Sequence, residues 1–234
     1  MTVLRFPAKD AVGELWWEDD RQPGGWGHQP AIGAVDVPDG TAVQLKVGCD
    51  PFDDGPAADL DFIRGLPADS VSELNLTGEF VPASFAAVAH LAPSLRAMSV
   101  YIDELGPEAP SVIAELTGLE RLSLAGHAHP WDGPSLRLND QALSAIADLP
   151  DLESLSMLGG SYTEHGLQQL RRLPNLAHLH IEREHLTPSI FRFAADMPVL
   201  TRLTGLDEFG DEGPMPPAQV EHVRAMLPSH ISMD

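Results

Sequence analysis

The hexapeptide LESLSM at residues 152–157 recurs as LAHLHI at residues 176–181, and this repetition decides the fold of the chain. The apolar residues occupy the first, fourth and sixth positions of both stretches. Apolar residues that alternate with polar ones over so short a run are typical of a β-strand that buries one face. Each 24-residue unit between Leu152 and Leu200 therefore predicts one short strand and a segment that leads back to the next strand.

Six predicted strands follow this pattern along the chain. They begin at Val71, Leu95, Leu119, Leu152, Leu176 and Leu200, at intervals of 24, 24, 33, 24 and 24 residues. Four equal intervals of this length indicate an internal repeat, in which each unit packs on its neighbours instead of around one central core. The long interval contains nine additional residues, in the region of residues 126–135.

Amphipathic segments with helical spacing separate these strands. They lie at residues 59–66, 83–91, 109–116, 140–149, 164–173 and 188–197. Because helices are about twice as wide as the spacing between paired strands, an array of such units curves with its strands inside and its helices outside. The sequence predicts an α/β solenoid with the shape of a horseshoe arc, in which a parallel sheet forms the concave face and short helices form the convex face.

The two ends of the chain do not fit the repeat. Residues 1–56 contain alternating segments at 13–18, 34–37 and 42–47, which predict an N-terminal β-rich cap. At least one of the adjacent Trp16 and Trp17 should pack inward, because neighbouring strand residues face opposite sides. Residues 207–234 predict a C-terminal capping loop and helix. With the repeats at 57–206, these parts should form one continuous structural domain.

The pattern Leu-x-x-Leu-x-Leu-x-Gly, followed by Thr-Asp-x-Gly-Leu-x-x-Leu, resembles that of bacterial leucine-rich repeat proteins with short helical convex sides. The best match is residues 152–173, where Thr163 and Gly166 are in register and Glu164 replaces the usual Asp. The resemblance covers roughly residues 59–206. Departures from it occur at Ala86, Ala89 and Gly205. The resemblance implies protein–protein recognition through the concave face and no fixed substrate or cofactor.

Charge and cysteine content restrict the classes of partner and compartment. The chain has 35 acidic and 14 basic residues, a formal net charge of -21, and the acids are densest toward its two ends. Phosphate binding needs clustered Lys and Arg, so we expect no nucleic acid partner. The absence of a long apolar run predicts no membrane partner. A lone cysteine, Cys49, cannot form an intramolecular disulfide, and with no predicted leader segment this favours a cytoplasmic protein.

Residues between the strand leucines should be exposed on the concave sheet, where they form three columns. The first column is Glu73, Ala97, Arg121, Ser154, His178 and Arg202; the second is Asn75, Ser99, Ser123, Ser156, His180 and Thr204; the third is Thr77, Tyr101, Ala125, Leu158, Glu182 and Leu206. The 126–135 insertion should form a loop on this scaffold. The candidate partner-binding residues are Tyr101, Arg121, Trp131, Leu158, His178, His180 and Arg202. The cationic members form either a site for an acidic group or an ordinary solvated strand surface.

Neither metal binding nor catalysis has a motif in this sequence. His178 and His180 lie two residues apart on one predicted strand face, but no carboxylate or cysteine in the pattern completes a zinc site. There is no nucleophile elbow, P-loop or dinucleotide fingerprint. We therefore predict no metal site, no cofactor and no enzymatic activity.

Three functions remain open from sequence. The first is a cytoplasmic binding module, such as a scaffold, inhibitor or immunity-like protein, which holds an unidentified partner on the concave face and the 126–135 loop. That partner would carry a basic surface or an acidic anchor group. The second is an acidic decoy that blocks a nucleic-acid-binding protein through the acidic ends of the chain. The third is a metal-dependent accessory enzyme that uses His178 and His180.

Overall fold

The computed structural model describes residues 1–19, 24–48, 57–101, 106–126, 138–159, 162–181, 188–205 and 217–233. A ten-stranded, mostly parallel sheet dominates this part of the chain, and short helices connect its parallel strands. The sequence prediction of a mixed α/β protein with a large parallel sheet and short helices is confirmed.

The strands and helices have the following bounds. The strands are β1 (Thr2–Arg5), β2 (Gly13–Glu18), β3 (Trp26–Pro30), β4 (Ala34–Val37), β5 (Val43–Gly48), β6 (Glu73–Thr77), β7 (Ala97–Tyr101), β8 (Arg121–Ala125), β9 (Ser154–Leu158), β10 (His178–Ile181), β11 (Arg202–Thr204) and β12 (Ser232–Met233). The α-helices are α1 (Ala109–Glu115), α2 (Asp140–Ile146), α3 (Glu164–Gln169), α4 (Pro188–Ala195) and α5 (Pro217–Met226). The 3₁₀ helices are Leu60–Gly65, Pro82–Leu91 and Leu170–Arg172.

The six predicted strands correspond to β6–β11, and they pair in parallel in chain order. Their first residues are successive Cα partners: Glu73, Ala97, Arg121, Ser154, His178 and Arg202. Strands β8 and β9 keep this register even though nine additional residues separate them in sequence. The insertion is therefore absorbed entirely between the two strands and does not shift their pairing.

On strands β5–β11, one face of the sheet is apolar and buried. A continuous column of aliphatic side chains, each at most 2 % exposed, crosses it through Leu45, Leu74, Met98, Leu122, Leu155, Leu179 and Leu203. The helices contribute residues such as Phe85, Ile113 and Leu143 to the same hydrophobic cluster. The core thus lies between the sheet and the helices, which leaves the opposite face of the sheet, called the open face below, to carry the remaining strand side chains.

Neighbouring helices on the buried side are joined at their N-termini. The Asn139 side chain accepts a hydrogen bond from the Ala142 amide at the start of α2, at 3.0 Å. The Asp140 carboxylate accepts two hydrogen bonds from Thr163, from its backbone N–H and its hydroxyl, both at 2.7 Å. Thr163 in turn caps α3 by accepting from the Gly166 amide. The Asp140 carboxylate, in the first turn of α2, therefore connects the start of this helix to the N-cap residue of α3.

The N-terminal strands extend the same sheet. Strand β5 pairs in parallel with β6, and β2 pairs antiparallel with β5 and with β3, so the sheet order ends β6-β5-β2-β3. Strands β1 and β4 form a separate two-stranded sheet. Phe6, which follows β1, packs against Phe62 of the first 3₁₀ helix, with 6.0 Å between the two ring centroids. The predicted alternating segments at 13–18, 34–37 and 42–47 are all strands.

Gly205, a departure from the repeat pattern, has a local structural reason. It follows β11 with φ +120°, and an added Cβ would lie 1.8 Å from the Ile181 carbonyl oxygen of β10. Gly48, at the end of β5, has φ +140° and the same close approach to the Thr77 carbonyl oxygen of β6. A larger residue cannot occupy either position without a backbone shift.

Candidate functional site

The predicted columns of open-face residues are present as register columns in the structure. Asn75, Ser99, Ser123, Ser156, His180 and Thr204 are successive Cα partners, and Lys46 of β5 and Glu14 of β2 continue this second column. Thr77, Tyr101, Ala125 and Leu158 form the third column. Glu182 and Leu206, the last two predicted members of the third column, lie outside the described residues.

Arg121 and Glu73 form an ion pair across the first column. Their closest atoms, Arg121 Nη2 and Glu73 Oε2, are 4.0 Å apart, and the Arg121 side chain is 60 % exposed. Glu73 also accepts a hydrogen bond from the Gln44 amide at 2.5 Å. The small residue Ala97 lies between Glu73 and Arg121 in the column and is buried, so Arg121 has room to reach across β7. Arg121 keeps exposed surface for a partner.

Tyr101 and Leu158 bring apolar surface to the same face. Tyr101 is 40 % exposed at the end of β7, and Leu158 is half-buried at the end of β9. Tyr101 borders a shallow depression of about 290 Å³ on the open face. The polar residues that line it are Lys46, Asn75, Thr77, Ser99, Ser123 and Tyr101. The depression therefore combines one cation with an amide and several hydroxyl groups.

The two strand histidines occupy adjacent columns of β10. His178 is exposed in the first column, next to Arg202 of β11. His180 is half-buried, and its Nδ1 lies 2.6 Å from the Thr204 hydroxyl oxygen. Among the described residues, no group of three or more His, Cys, Asp or Glu side chains could hold a metal ion.

Six of the seven sequence-predicted site residues therefore lie on one face of one sheet, on strands β7–β11: Tyr101, Arg121, Leu158, His178, His180 and Arg202. The seventh, Trp131, lies with most of the 126–135 insertion outside the described residues. The described end of that insertion is Gly126, whose amide donates to the Leu158 carbonyl at 2.9 Å. The insertion thus leaves the sheet beside the third column.

Sequence reasoning missed a group of open-face residues on the N-terminal strands. The Lys46 ammonium lies 4.6 Å from the centroid of the Trp16 ring, and that ring packs at 4.2 Å on the His28 ring. The Glu14 carboxylate lies beside the Trp16 and His28 rings and accepts a hydrogen bond from Trp16 Nε1 at 3.3 Å. Trp17 is buried, as expected for one of the adjacent pair. The alternation of residues 43–47 has the same phase as the repeat strands, and this was the signal that these residues join the face.

A second depression, of about 520 Å³, lies on the helix side. Ala86 and Ala89, where the repeat pattern leads one to expect leucine, are part of its wall. Arg64, His90, Glu108 and Glu115 also line it. Ala86 and Ala89 are only partly buried, and the large buried side chains of this 3₁₀ helix are those of Phe85, Val88 and Leu91.

None of the helices in the described part of the chain combines the length and apolar character required to cross a membrane.

Comparisons with known proteins give little to build on. A scan against protein-family models finds no match, and a search of curated proteins finds none either. One similar solved structure is a Bacteroides fragilis protein determined by the Northeast Structural Genomics Consortium. It is 14 % identical, with a TM-score of 0.37, and the match covers 71 % of this chain and 66 % of that chain.

Proposed function

We propose that this chain is a leucine-rich repeat protein whose function is to hold a partner protein against the open face of its sheet. In this proposal the open face is the concave side of a horseshoe arc, and the 126–135 insertion, with Trp131, adds contacts beside it. The chain acts as a binding module and does no chemistry of its own.

The observation that carries the proposal is the alternation of exposure along strands β6–β11. Every second residue is buried beneath the helices, whereas the residues between them are mostly exposed or half-buried and differ in chemistry from strand to strand. With neighbouring strands about 4.8 Å apart, the six strands present a surface on the order of 25 Å wide. Such a width suits another protein better than a small molecule, and the 290 Å³ depression is shallow.

Residue types on this face also suit protein recognition. Interfaces are enriched in Tyr and Arg, which supply most of the binding energy at a few central positions. Tyr101 and Arg121 lie at opposite ends of adjacent strands β7 and β8, with small serines between them in the second column. These two residues are therefore the expected centre of the interface.

Affinity measurements on an isolated partner test the proposal. Proteins captured from the native cell extract are identified, and the purified partner is titrated into the wild-type chain and variants by calorimetry. Tyr101→Ala combined with Arg121→Ala should weaken binding by at least about 2 kcal/mol, because both truncations fall at hot-spot positions. Trp131→Ala, tested separately, reports whether the insertion contributes.

Arg64→Ala is the matched control, since Arg64 is also exposed but belongs to the first 3₁₀ helix, on the helix side. The control should change the affinity by less than about 0.5 kcal/mol. A partner that binds the double variant as tightly as the wild type would show that the open face is not the binding surface.

A further inference from the structure

The large sheet ends at an edge strand that has a neighbour on one side only. Strand β3 is the last strand in the sheet order, and among the described strands it pairs with β2 alone. It is five residues long, whereas β12, the strand at the opposite edge, has two residues. A very short edge strand offers little backbone for pairing, so β3 is the edge to which another strand can be added.

The pairing of β3 with β2 determines which backbone groups point to the free edge. The Asp19 amide donates to the Gly25 carbonyl at 2.9 Å, directly before β3 begins. Hydrogen-bonded pairs alternate with non-hydrogen-bonded pairs along an antiparallel ladder. The backbone N–H and C=O groups of Trp26 and His28 therefore point away from β2. Pro30 is the third residue of this outward set and has no N–H, so Trp26 and His28 carry the available donors.

The Trp26 side chain is exposed at the same edge. It is 53 % exposed, more than any other aromatic side chain in the described part of the chain. Its Cα partner on β2 is Glu18, whose side chain is also exposed. Side chains are close together in a non-hydrogen-bonded pair, so the Glu18 carboxylate can reach a group that binds on the Trp26 ring.

A neighbouring group on the same strands shows what such a pair can bind. The Lys46 ammonium lies 4.6 Å from the centroid of the Trp16 ring, and the Glu14 carboxylate accepts from Trp16 Nε1 at 3.3 Å. The face of the ring and the carboxylate both attract the cation. Trp26 and Glu18 provide the same ring and carboxylate, but no cation among the described residues lies over the Trp26 ring.

We propose that an extended, basic segment of a partner protein adds to β3 as a further strand, with a Lys or Arg side chain over the Trp26 ring beside Glu18. Backbone hydrogen bonds to Trp26 and His28 supply affinity, and the ring and carboxylate select a basic residue. The formal net charge of -21 favours a basic segment over a second copy of this chain, because two such chains repel each other.

This docking edge is separate from the interface proposed above. Strand β3 is four strand spacings from β7, which carries Tyr101, and this corresponds to roughly 19 Å across the sheet. The inference therefore does not rest on the proposed function, and either can fail without the other.

Fluorescence anisotropy with labelled peptides tests the inference. The probe is a peptide of about eight residues that alternates Lys and Thr, which places all its lysines on one face when it is extended. A second peptide has Glu in place of Lys. Two further peptides carry backbone N-methyl groups, either on every Lys or on every Thr, and so lose the N–H groups of one strand edge or the other.

The Lys peptide should bind and the Glu peptide should not. An added strand uses only one of its two edges, so one N-methylated peptide should bind at least about tenfold more weakly than the Lys peptide. The other N-methylated peptide should bind like the unmethylated Lys peptide, because its N–H groups on the paired edge are intact.

His28→Pro and His28→Ala separate the backbone of β3 from its side chain. Both remove the imidazole, but only His28→Pro removes the N–H that points to the free edge, and the ladder to β2 does not use that N–H. His28→Pro should weaken binding of the Lys peptide at least about fivefold relative to His28→Ala. Circular dichroism melts check that both are folded. If His28→Pro does not fold, the N-methylated peptides still test the pairing.

Substitutions of Trp26 and Glu18 test the side-chain contacts. Trp26→Ala should weaken binding of the Lys peptide at least about threefold, because the cation loses the ring. Glu18→Gln should weaken it at least about twofold at low ionic strength. Glu164→Gln is the matched control, because it removes the same charge from an exposed position on α3, on the helix side of the sheet. Its effect should stay within about 1.5-fold.

The following results would overturn the inference. Equal affinities of the two N-methylated peptides exclude strand addition, and no binding of the Lys peptide excludes a basic segment. Equal effects of Glu18→Gln and Glu164→Gln reduce the binding to net charge. A concentration-dependent dimer in sedimentation velocity that His28→Pro abolishes and His28→Ala retains assigns the edge to a second copy of the chain. Each of these results leaves the proposed function intact, because that function is measured at Tyr101 and Arg121.

Discussion

The two faces of the large sheet are formed by the same strands, but they differ in how far the residue types are restricted. On the buried face, the column from Leu45 to Leu203 contains leucine in every strand except for Met98, and each side chain is at most 2 % exposed. On the open face, the adjacent column runs from Lys46 through an asparagine and three serines to His180 and Thr204. Packing against the neighbouring strands and the helices restricts the size and shape of the first set, whereas solvent places no such limit on the second. The buried face therefore determines the fold, and the open face is where specificity can vary.

Truncation of a buried-face leucine should have the largest effect. Leu155→Ala, or Leu179→Ala on the next strand, should lower the free energy of unfolding by roughly 2–5 kcal/mol, because each leucine is fully buried and its truncation leaves a cavity in the core. Ser156→Ala, the adjacent residue on the open face of β9, should change it by less than about 0.5 kcal/mol. Urea unfolding of the three variants measures the contrast. Equal losses for Leu155 and Ser156 would mean that the open face is packed as tightly as the core.

The contrast between the faces also explains what sequence could predict. The register of β6–β11 follows from the leucine positions, since a shift by one residue would turn a whole column of leucines to the solvent. The pairing of β5, β2 and β3 with this sheet was not predictable in the same way. Those strands do not carry the repeat spacing, and the antiparallel pairing of β2 depends on contacts that are distant in sequence.

Individual contacts on the open face were less predictable still. The Arg121–Glu73 pair spans two strands, and it depends on the small size of Ala97 between them. The position of Lys46 over Trp16 depends on which of two adjacent tryptophans faces outward. A column of residue types shows which side chains share a face. It does not show which of them touch, because long side chains can reach several neighbours.

Removal of the Asp140 carboxylate, which connects α2 to α3 on the helix side of the sheet, should have the next largest effect on stability. Asp140→Ala should lower the free energy of unfolding by about 1–3 kcal/mol, because both Thr163 donors lose a charged acceptor. Glu164→Ala is the control, an exposed acid in the first turn of α3, with an expected change below about 0.5 kcal/mol. Thermal unfolding followed by circular dichroism compares them. A similar loss for both variants would indicate a general charge effect at the helix N-termini.

Open-face substitutions should affect binding without affecting the fold. The Tyr101→Ala and Arg121→Ala double variant should unfold within about 1 kcal/mol of the wild type, since an exposed ion pair at 4.0 Å contributes about 0–1 kcal/mol. Urea unfolding measures the difference. If the double variant were destabilised as strongly as Leu155→Ala, a loss of partner binding could no longer be assigned to the interface.

Removal of the insertion should have the smallest effect on stability, and it tests whether the residues outside the repeat belong to the open face or to the core. Deleting Gly126 to Pro134 removes nine residues and restores the 24-residue interval between β8 and β9. These strands already pair in the same register as the others, with Arg121 opposite Ser154. In the shortened chain Ser135 follows Ala125, so its backbone N–H can replace that of Gly126 as donor to the Leu158 carbonyl.

The expected change in the free energy of unfolding is a few tenths of a kcal/mol, because the entropy of closing a loop depends only logarithmically on its length. A thermal melt of the deletion variant, run beside the wild type, measures it, and partner affinity measured on the same sample reports the role of Trp131. A cooperative melt with weaker partner binding would show that the insertion contributes to binding and is not part of the core. A broad, non-cooperative melt would instead place it with the leucines of the buried face, because only segments that pack into the repeat array are required for its cooperative unfolding.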